Sequence, residues 1–132
     1  MASIDELSDL LERRIAVLDG AMGTMVQGVA LEHEALWRGE RFAAHGHPLK
    51  GCNDVLVLTQ PQVIEDIHYQ FLRAGADLVE TDTFTATRLA LADYGLEDAV
   101  HDINVAAARV ARRAADRAQA DDGRPRWVAG SI

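Results

Sequence analysis

Two short stretches place acids where apolar runs end. In VLDGAMGT (residues 17–24) the run Ala16, Val17, Leu18 stops at Asp19, and Gly20 and Gly23 follow within four positions. In ADLVETDTF (residues 76–84) an apolar start ends on Glu80, Asp82 and Thr83. Both read as strands finishing in acids and hydroxyls. In parallel sheets, ligands bind at the carboxyl ends of the strands. A carboxylate placed there can hold an ammonium group, and a glycine-rich turn can offer backbone N–H groups to a carboxylate. Together they suit an amino-acid ligand. The plainer reading is that Asp19 starts a turn and that Glu80 pairs with an arginine. An unpaired buried charge is costly, so two acids in a doubly buried strand call for a purpose.

Other chemistry-bearing residues form weaker patterns. His45 and His47 make an H-x-H that could bind a metal, but no third ligand stands nearby. His33 and His101 read as solvent-facing, and His68 as structural, beside the apolar face of a helix. Cys52 is the only cysteine, whereas zinc sites need three or four ligands. GAMG is not the dinucleotide-binding fingerprint, and neither a Walker motif nor a nucleophile elbow is present.

The elements that would position these residues follow from spacing. Ser3 and Glu6 have capping-box spacing ahead of Leu7, Leu10 and Leu11, which predicts a first helix ending at Arg13 and Arg14. Ile15–Leu18 reads as a short buried strand, and residues 22–30 as a helix weakened by Gly28. Residues 31–54 are polar, glycine-dotted and irregular, too long for a casual connection, and read as a functional excursion. Pro61 opens a helix whose face is Val63, Ile64, Ile67, Phe71 and Leu72, with Thr59 or Gln60 as cap and Gly75 closing it. Residues 76–84 form the second strand. A short helix over 86–94 stops at Gly95, and a long one over 97–120 buries Val100, Ile103, Ala107, Val110, Ala111 and Ala114. DDGRP makes a turn before a third strand at 126–129. Strands separated by helices imply parallel pairing with right-handed crossovers. A thin doubly wound sheet and the first part of a (β/α)8 barrel both fit this order.

Bulk properties exclude several classes. The chain has 132 residues, 48% of them hydrophobic, which suffices for one domain with a real core. The net charge of -8 argues against nucleic acid and anionic membranes as partners. No secretory pattern is present, and no apolar run approaches the roughly 20 residues of a membrane span. A lone cysteine fits a reducing compartment, so a cytoplasmic protein is expected.

LDGAMGTMVQ, WRGERF, LKGCNDVLVLTQPQVIEDIH and AGADLVETDTF, in this order and spacing, resemble the N-terminal homocysteine-binding domain of cobalamin-dependent methionine synthases. The resemblance runs from about Ile15 to Ile132. DGAMGT and the ETxTF-like motif belong to the wider homocysteine S-methyltransferase family, whereas the WRGERF…LKGCND excursion is more particular to the cobalamin-dependent branch.

The resemblance implies a (β/α)8 barrel, of which residues 1–132 would be a partial homocysteine-binding domain: about three βα units after a short N-terminal helix. It implies homocysteine bound as a thiolate on zinc, methylated from methylcobalamin to give methionine, with folate- and cobalamin-binding domains as partners in the full enzyme. Asp19, Gly20, Gly23 and Thr24 match the segment near the amino-acid part of homocysteine, with Glu80 close by, and Thr83 and Phe84 match a segment lining the pocket. Asp82 departs from the family's usual asparagine. The family's zinc ligands are three cysteines on late strands. No such strand is present here, and Cys52 matches none of them. The expectation is thus of a truncated methyltransferase domain without catalytic residues or metal ligands of its own. Open parallel edges would make it marginally folded or associating in isolation, with weak or no homocysteine binding.

Two other readings stay open. One is a non-catalytic binding or self-assembling module that keeps the first units of the barrel. The other is a different barrel enzyme that uses Asp19 and Glu80 as an acid–base pair.

Overall fold

The computed structural model describes residues 2–131. It is built mainly from helices around a short parallel sheet. Helix α1 (Ile4–Arg13) begins with the expected capping box: the Glu6 amide donates to Ser3 Oγ (3.2 Å) and the Ser3 amide to Glu6 Oε2 (2.6 Å). Only Leu10 of its leucines is buried; Leu11 is exposed.

Helices α2 (Met22–Gln27), α3 (Glu34–Arg38) and α4 (Leu56–Thr59) are short, and a 3-10 turn (Asn53–Val55) leads into α4. Helix α5 (Pro61–Ala74) starts on Pro61 and ends at Gly75 in the left-handed region (φ 119°), which only glycine adopts without strain. Gln60 occupies the cap position but does not cap; its side-chain amide donates instead to the Leu36 carbonyl (2.9 Å). Strand β1 (Leu78–Glu80), helix α6 (Arg88–Leu91), helix α7 (Val100–Asp122) and strand β2 (Trp127–Ala129) complete the order.

β1 and β2 pair in parallel, with Leu78, Val79 and Glu80 opposite Trp127, Val128 and Ala129. On the other edge of β1, Leu18 forms a single parallel bridge to Leu78. The Asp77 amide donates to the Val17 carbonyl (2.7 Å) and the Asp19 amide to the Leu78 carbonyl (3.0 Å). Three parallel segments thus lie side by side in chain order, with helical crossovers between them.

Several expectations are corrected. The buried first strand at Ile15–Leu18 reduces to that one bridge, and Ile15, Val17 and Leu18 are exposed, because the segment has a sheet neighbour on one side only among the described residues. The second strand spans three residues rather than nine. Beyond Glu80 the threonines turn the chain: the Thr83 amide donates to the Thr81 carbonyl (2.8 Å) and the Ala86 amide to the Thr83 carbonyl (3.3 Å). The helix expected over 86–94 begins at Arg88, with Thr87 Oγ1 accepting from the Ala90 amide (3.2 Å), and ends in a 3-10 turn over Ala92–Tyr94. The long helix is preceded by a 3-10 turn and runs to Asp122.

The excursion at 31–54 is folded. The Glu34 carboxylate accepts from the Leu49 and Lys50 amides (2.6 and 2.9 Å) and from Arg38 Nε (3.0 Å), which ties the loop to its own base. Leu31, Trp37, Leu49 and Cys52 are buried and join the main core with Val55, Leu56, Ile64, Ile67 and Ile103. A second core uses small residues: Ala111, Ala114, Ala115 and Ala118 of α7 pack with Leu72, Ala76 and Val79, letting the helix lie close over the sheet. The amino end of β1 is fixed by buried Asp77. It receives both Nη atoms of Arg14 (2.7 Å each), Arg124 Nη2 (3.3 Å) and the Val17 amide (2.9 Å). The arginine pairing holds the Asp77 carboxyl down at about 2.

Candidate functional site

A cavity of about 330 Å³ opens at the carboxyl ends of the three parallel segments. Asp19, Gly20 and the start of α2 at Met22 and Gly23 form one wall, Glu80, Thr81, Asp82, Phe84 and Thr85 another, and Gly51, Asn53 and Asp54 of the excursion a third; Ser131 follows β2 at the rim.

Of the residues singled out from the sequence, Asp19, Gly20, Gly23, Glu80, Asp82 and Phe84 line this cavity. Thr24 and Thr83 do not. Thr24 is exposed on α2. Thr83 is buried, its hydroxyl spent on the Thr81 hydroxyl (2.8 Å) and the Ser131 carbonyl (3.2 Å), so it supports the wall from behind. Phe84 is 86% exposed and stands at the mouth.

Asp19 is not a free carboxylate. Its Oδ1 accepts from the Glu80 amide (3.0 Å), and its Oδ2 lies 3.6 Å from Nδ1 of fully buried His68. The acid thereby clamps the first segment to the end of β1. His68, read as structural from the sequence, does back Asp19. Gly20 is also explained from within: a Cβ there would come within 3.0 Å of the Phe71 ring. A Cβ at Gly23 would only touch the Asn53 side chain at 3.4 Å. The first glycine therefore serves packing, whereas the second leaves open backbone in the cavity wall.

Sequence reasoning missed the excursion's share of the site. Asp54 is buried, and its Oδ2 accepts from the Thr85 amide (2.7 Å) and hydroxyl (3.0 Å). Burial pushes its carboxyl above the ordinary range, and the Thr85 bonds partly offset this. Asp82, 6% exposed, has its Oδ2 buried with no hydrogen-bond partner. Burial, and then the neighbouring Asp54, push its carboxyl up to about 7. The available signal was the pair Asn53-Asp54 directly before an apolar run, where an acid facing inward is out of place.

The residues present do not fit a zinc ion. Among the described residues no group of three or more histidine, cysteine or acidic side chains is arranged to hold a metal. Cys52 is buried, and burial pushes its thiol up to about 11, away from the thiolate a metal needs. The H-x-H pair serves structure: a His45 ring nitrogen bonds the Tyr94 carbonyl (2.7 Å) and His47 packs on Gly95.

The family model for homocysteine S-methyltransferases matches residues 16–132. The chain belongs to the homocysteine S-methyltransferase family. Two crystal structures of the homocysteine methyltransferase MmuM from Escherichia coli, in metallated and oxidized forms, are similar over 96% of this chain at 26% identity, with TM-scores of 0.68 and 0.72. The chain spans 40% of the length of those (β/α)8-barrel methyltransferases. The cavity of this family member lies where ligands bind in such folds, at the strand carboxyl ends. No helix among the described residues is long and apolar enough to cross a membrane.

Proposed function

We propose that this chain supplies the amino-acid-binding wall of a homocysteine methyltransferase site. The observation that carries the reading is the cavity itself. It gathers acids and open backbone from three separated stretches of sequence at the carboxyl ends of parallel strands, in a member of this family. Asp19, Gly20, Gly23, Glu80, Asp82 and Phe84 are the residues assigned to the pocket; Thr83 is buried behind its wall, and Thr24 lies exposed on α2 outside it. When bound, zinc would hold the homocysteine sulfur as a nucleophilic thiolate at neutral pH. Its ligands are not among the residues described, so this wall orients the substrate and does not activate it. The chain is then part of an enzyme, inactive by itself.

Within the family we place it with the cobalamin-dependent methionine synthases. The donor is then methylcobalamin, carried together with folate by other domains of a longer cytoplasmic protein. What supports this is the WRGERF…LKGCND excursion, whose Asn53 and Asp54 reach the cavity.

Equilibrium dialysis with labelled L-homocysteine tests the binding role. Weak, saturable uptake displaced by unlabelled L-homocysteine is expected; uptake that never saturates would contradict it. For the donor, a protein joining this segment to a zinc site should demethylate methylcobalamin only when homocysteine is added. Transfer from another methyl donor alone would move the chain to another branch.

A further inference from the structure

Asp19 carries the end of the sheet. Its amide donates to the Leu78 carbonyl (3.0 Å), and its Oδ1 accepts from the Glu80 amide (3.0 Å). The carboxylate thus stands where the backbone carbonyl of a regular parallel ladder would. That bond sets how the wall beginning at Glu80 stands against the wall of Asp19 and Gly20. A carboxylate turns easily about χ2, whose wells are broad. A bond to one oxygen does not fix its plane; a second bond to the other oxygen does. His68 supplies the candidate. It projects from α5, is fully buried, and neither ring nitrogen has a hydrogen-bond partner among the described residues. Its Nδ1 lies 3.6 Å from Asp19 Oδ2, and the Asp19 side chain is itself almost wholly buried. Three residues on, Phe71 packs under Gly20, where a Cβ would fall 3.0 Å from its ring. Helix α5 therefore supports Asp19 and Gly20 at successive points of one face.

We infer that His68 is a positioning residue of this cavity: its Nδ1–H holds Asp19 Oδ2 and, through that carboxylate, fixes the spacing of two cavity walls. The inference rests on the reading above that the cavity is the substrate site, and it adds a residue that lies outside the pocket. The tautomer follows from the surroundings. Which ring nitrogen carries the proton is set by the bond that the proton can make. A buried N–H needs an acceptor, and Asp19 Oδ2 is the acceptor that the structure places beside this ring. The proton therefore sits on Nδ1, and Nε2 is bare. Closing the gap by about half an ångström gives an N–H···O bond of ordinary length.

Long-range 1H–15N NMR of the 132-residue chain, at about pH 8 where histidine is neutral, reads the tautomer without any variant. His68 should show Nδ1 in the N–H range and Nε2 in the range of a bare nitrogen; the opposite tautomer would overturn the inference. Amide hydrogen exchange then reads the walls. In His68→Leu the Glu80 amide should exchange about tenfold faster relative to the Val79 and Ala111 amides, because the opening is local. His68→Asn, whose side-chain N–H stands near the Nδ1 position, should bring that ratio back to within about threefold of the parent. A residue that only fills space would speed all three amides alike in both variants, and that result would also overturn the inference. Equilibrium dialysis separates it from the reading on which it rests. Binding of L-homocysteine should weaken about threefold or more in His68→Leu and recover in His68→Asn. Unchanged binding in His68→Leu would overturn the positioning role. If the parent chain takes up homocysteine without saturating, the substrate reading falls, and the tautomer and the Glu80 ratio still decide whether His68 sets the walls.

Discussion

At Asp82, burial opposes ionisation, and stability should register the conflict. The carboxyl sits at about 7 in the folded chain against an ordinary 3.8. The folded state therefore keeps a proton that the unfolded chain has lost between those values, so this residue makes stability fall as pH rises from about 4 to 7. Asp82→Asn removes the penalty. Urea unfolding should show the variant more stable by roughly 2 kcal/mol or more at pH 8, with the difference gone near pH 3.5. Asp77 has the opposite sign. Its carboxyl, lowered to about 2 by Arg14, contributes stability above pH 3.8 that is lost as pH falls toward 2. Asp77→Asn should cost about 2 kcal/mol at pH 7 and progressively less on acidification. Denaturation midpoints across this range check both. Asp82 drew attention in the sequence as an acid where an apolar strand was expected. Its neighbour Asp54 did not, although an acid directly before the apolar run at 55–58 was a signal, because its bonds to Thr85 join positions 31 apart in sequence. Asp19 was read as a ligand group, yet its clamp on the Glu80 amide joins positions 61 apart in sequence, which periodicity cannot reveal.

The long elements were legible because their signals are local. Pro61 and Gly75 bracket α5, and the stripe of α7 from Ile103 to Ala114 is buried where its 3.6-residue spacing puts it, with Val100 at its start only partly buried. The strands were overread. Apolar runs at 15–18 and 76–84 do carry strand character, but pairing depends on neighbours, and only Leu18 and Leu78–Glu80 on these runs find them. The excursion resisted reading for the converse reason: its order comes from Glu34 collecting two distant amides and from Trp37 and Leu49 reaching the core. Its outer end is pinned at Gly95, whose φ of +65° is left-handed and where a Cβ would fall 2.8 Å from the His47 ring. Gly95→Ala should therefore lower stability by about 1–3 kcal/mol. Gly46→Ala, with open space around it, should stay within about 0.5 kcal/mol. Thermal unfolding of the two variants beside the parent chain separates a pinned loop from a loose one.

At the scale of the whole molecule, the sheet has open edges among the described residues, and Ile15, Val17, Leu18, Phe84 and Leu89 lie exposed. Parallel edges and uncovered apolar residues favour association. Sedimentation velocity of the 132-residue chain should show a weight-average mass that rises with concentration; a monomer across the range would mean that these surfaces are tolerated in water. Membership of the homocysteine S-methyltransferase family and a cavity at the strand carboxyl ends are two separate findings. The central claim joins the two: this cavity receives the amino-acid part of homocysteine. The most direct test is to titrate the 15N-labelled chain with L-homocysteine and follow its backbone amides. The account predicts shifts concentrated at residues 19–23, 51–54 and 80–85 and diminished with 4-mercaptobutyrate, which lacks the amine. Shifts centred elsewhere, or none at saturating ligand, would contradict it.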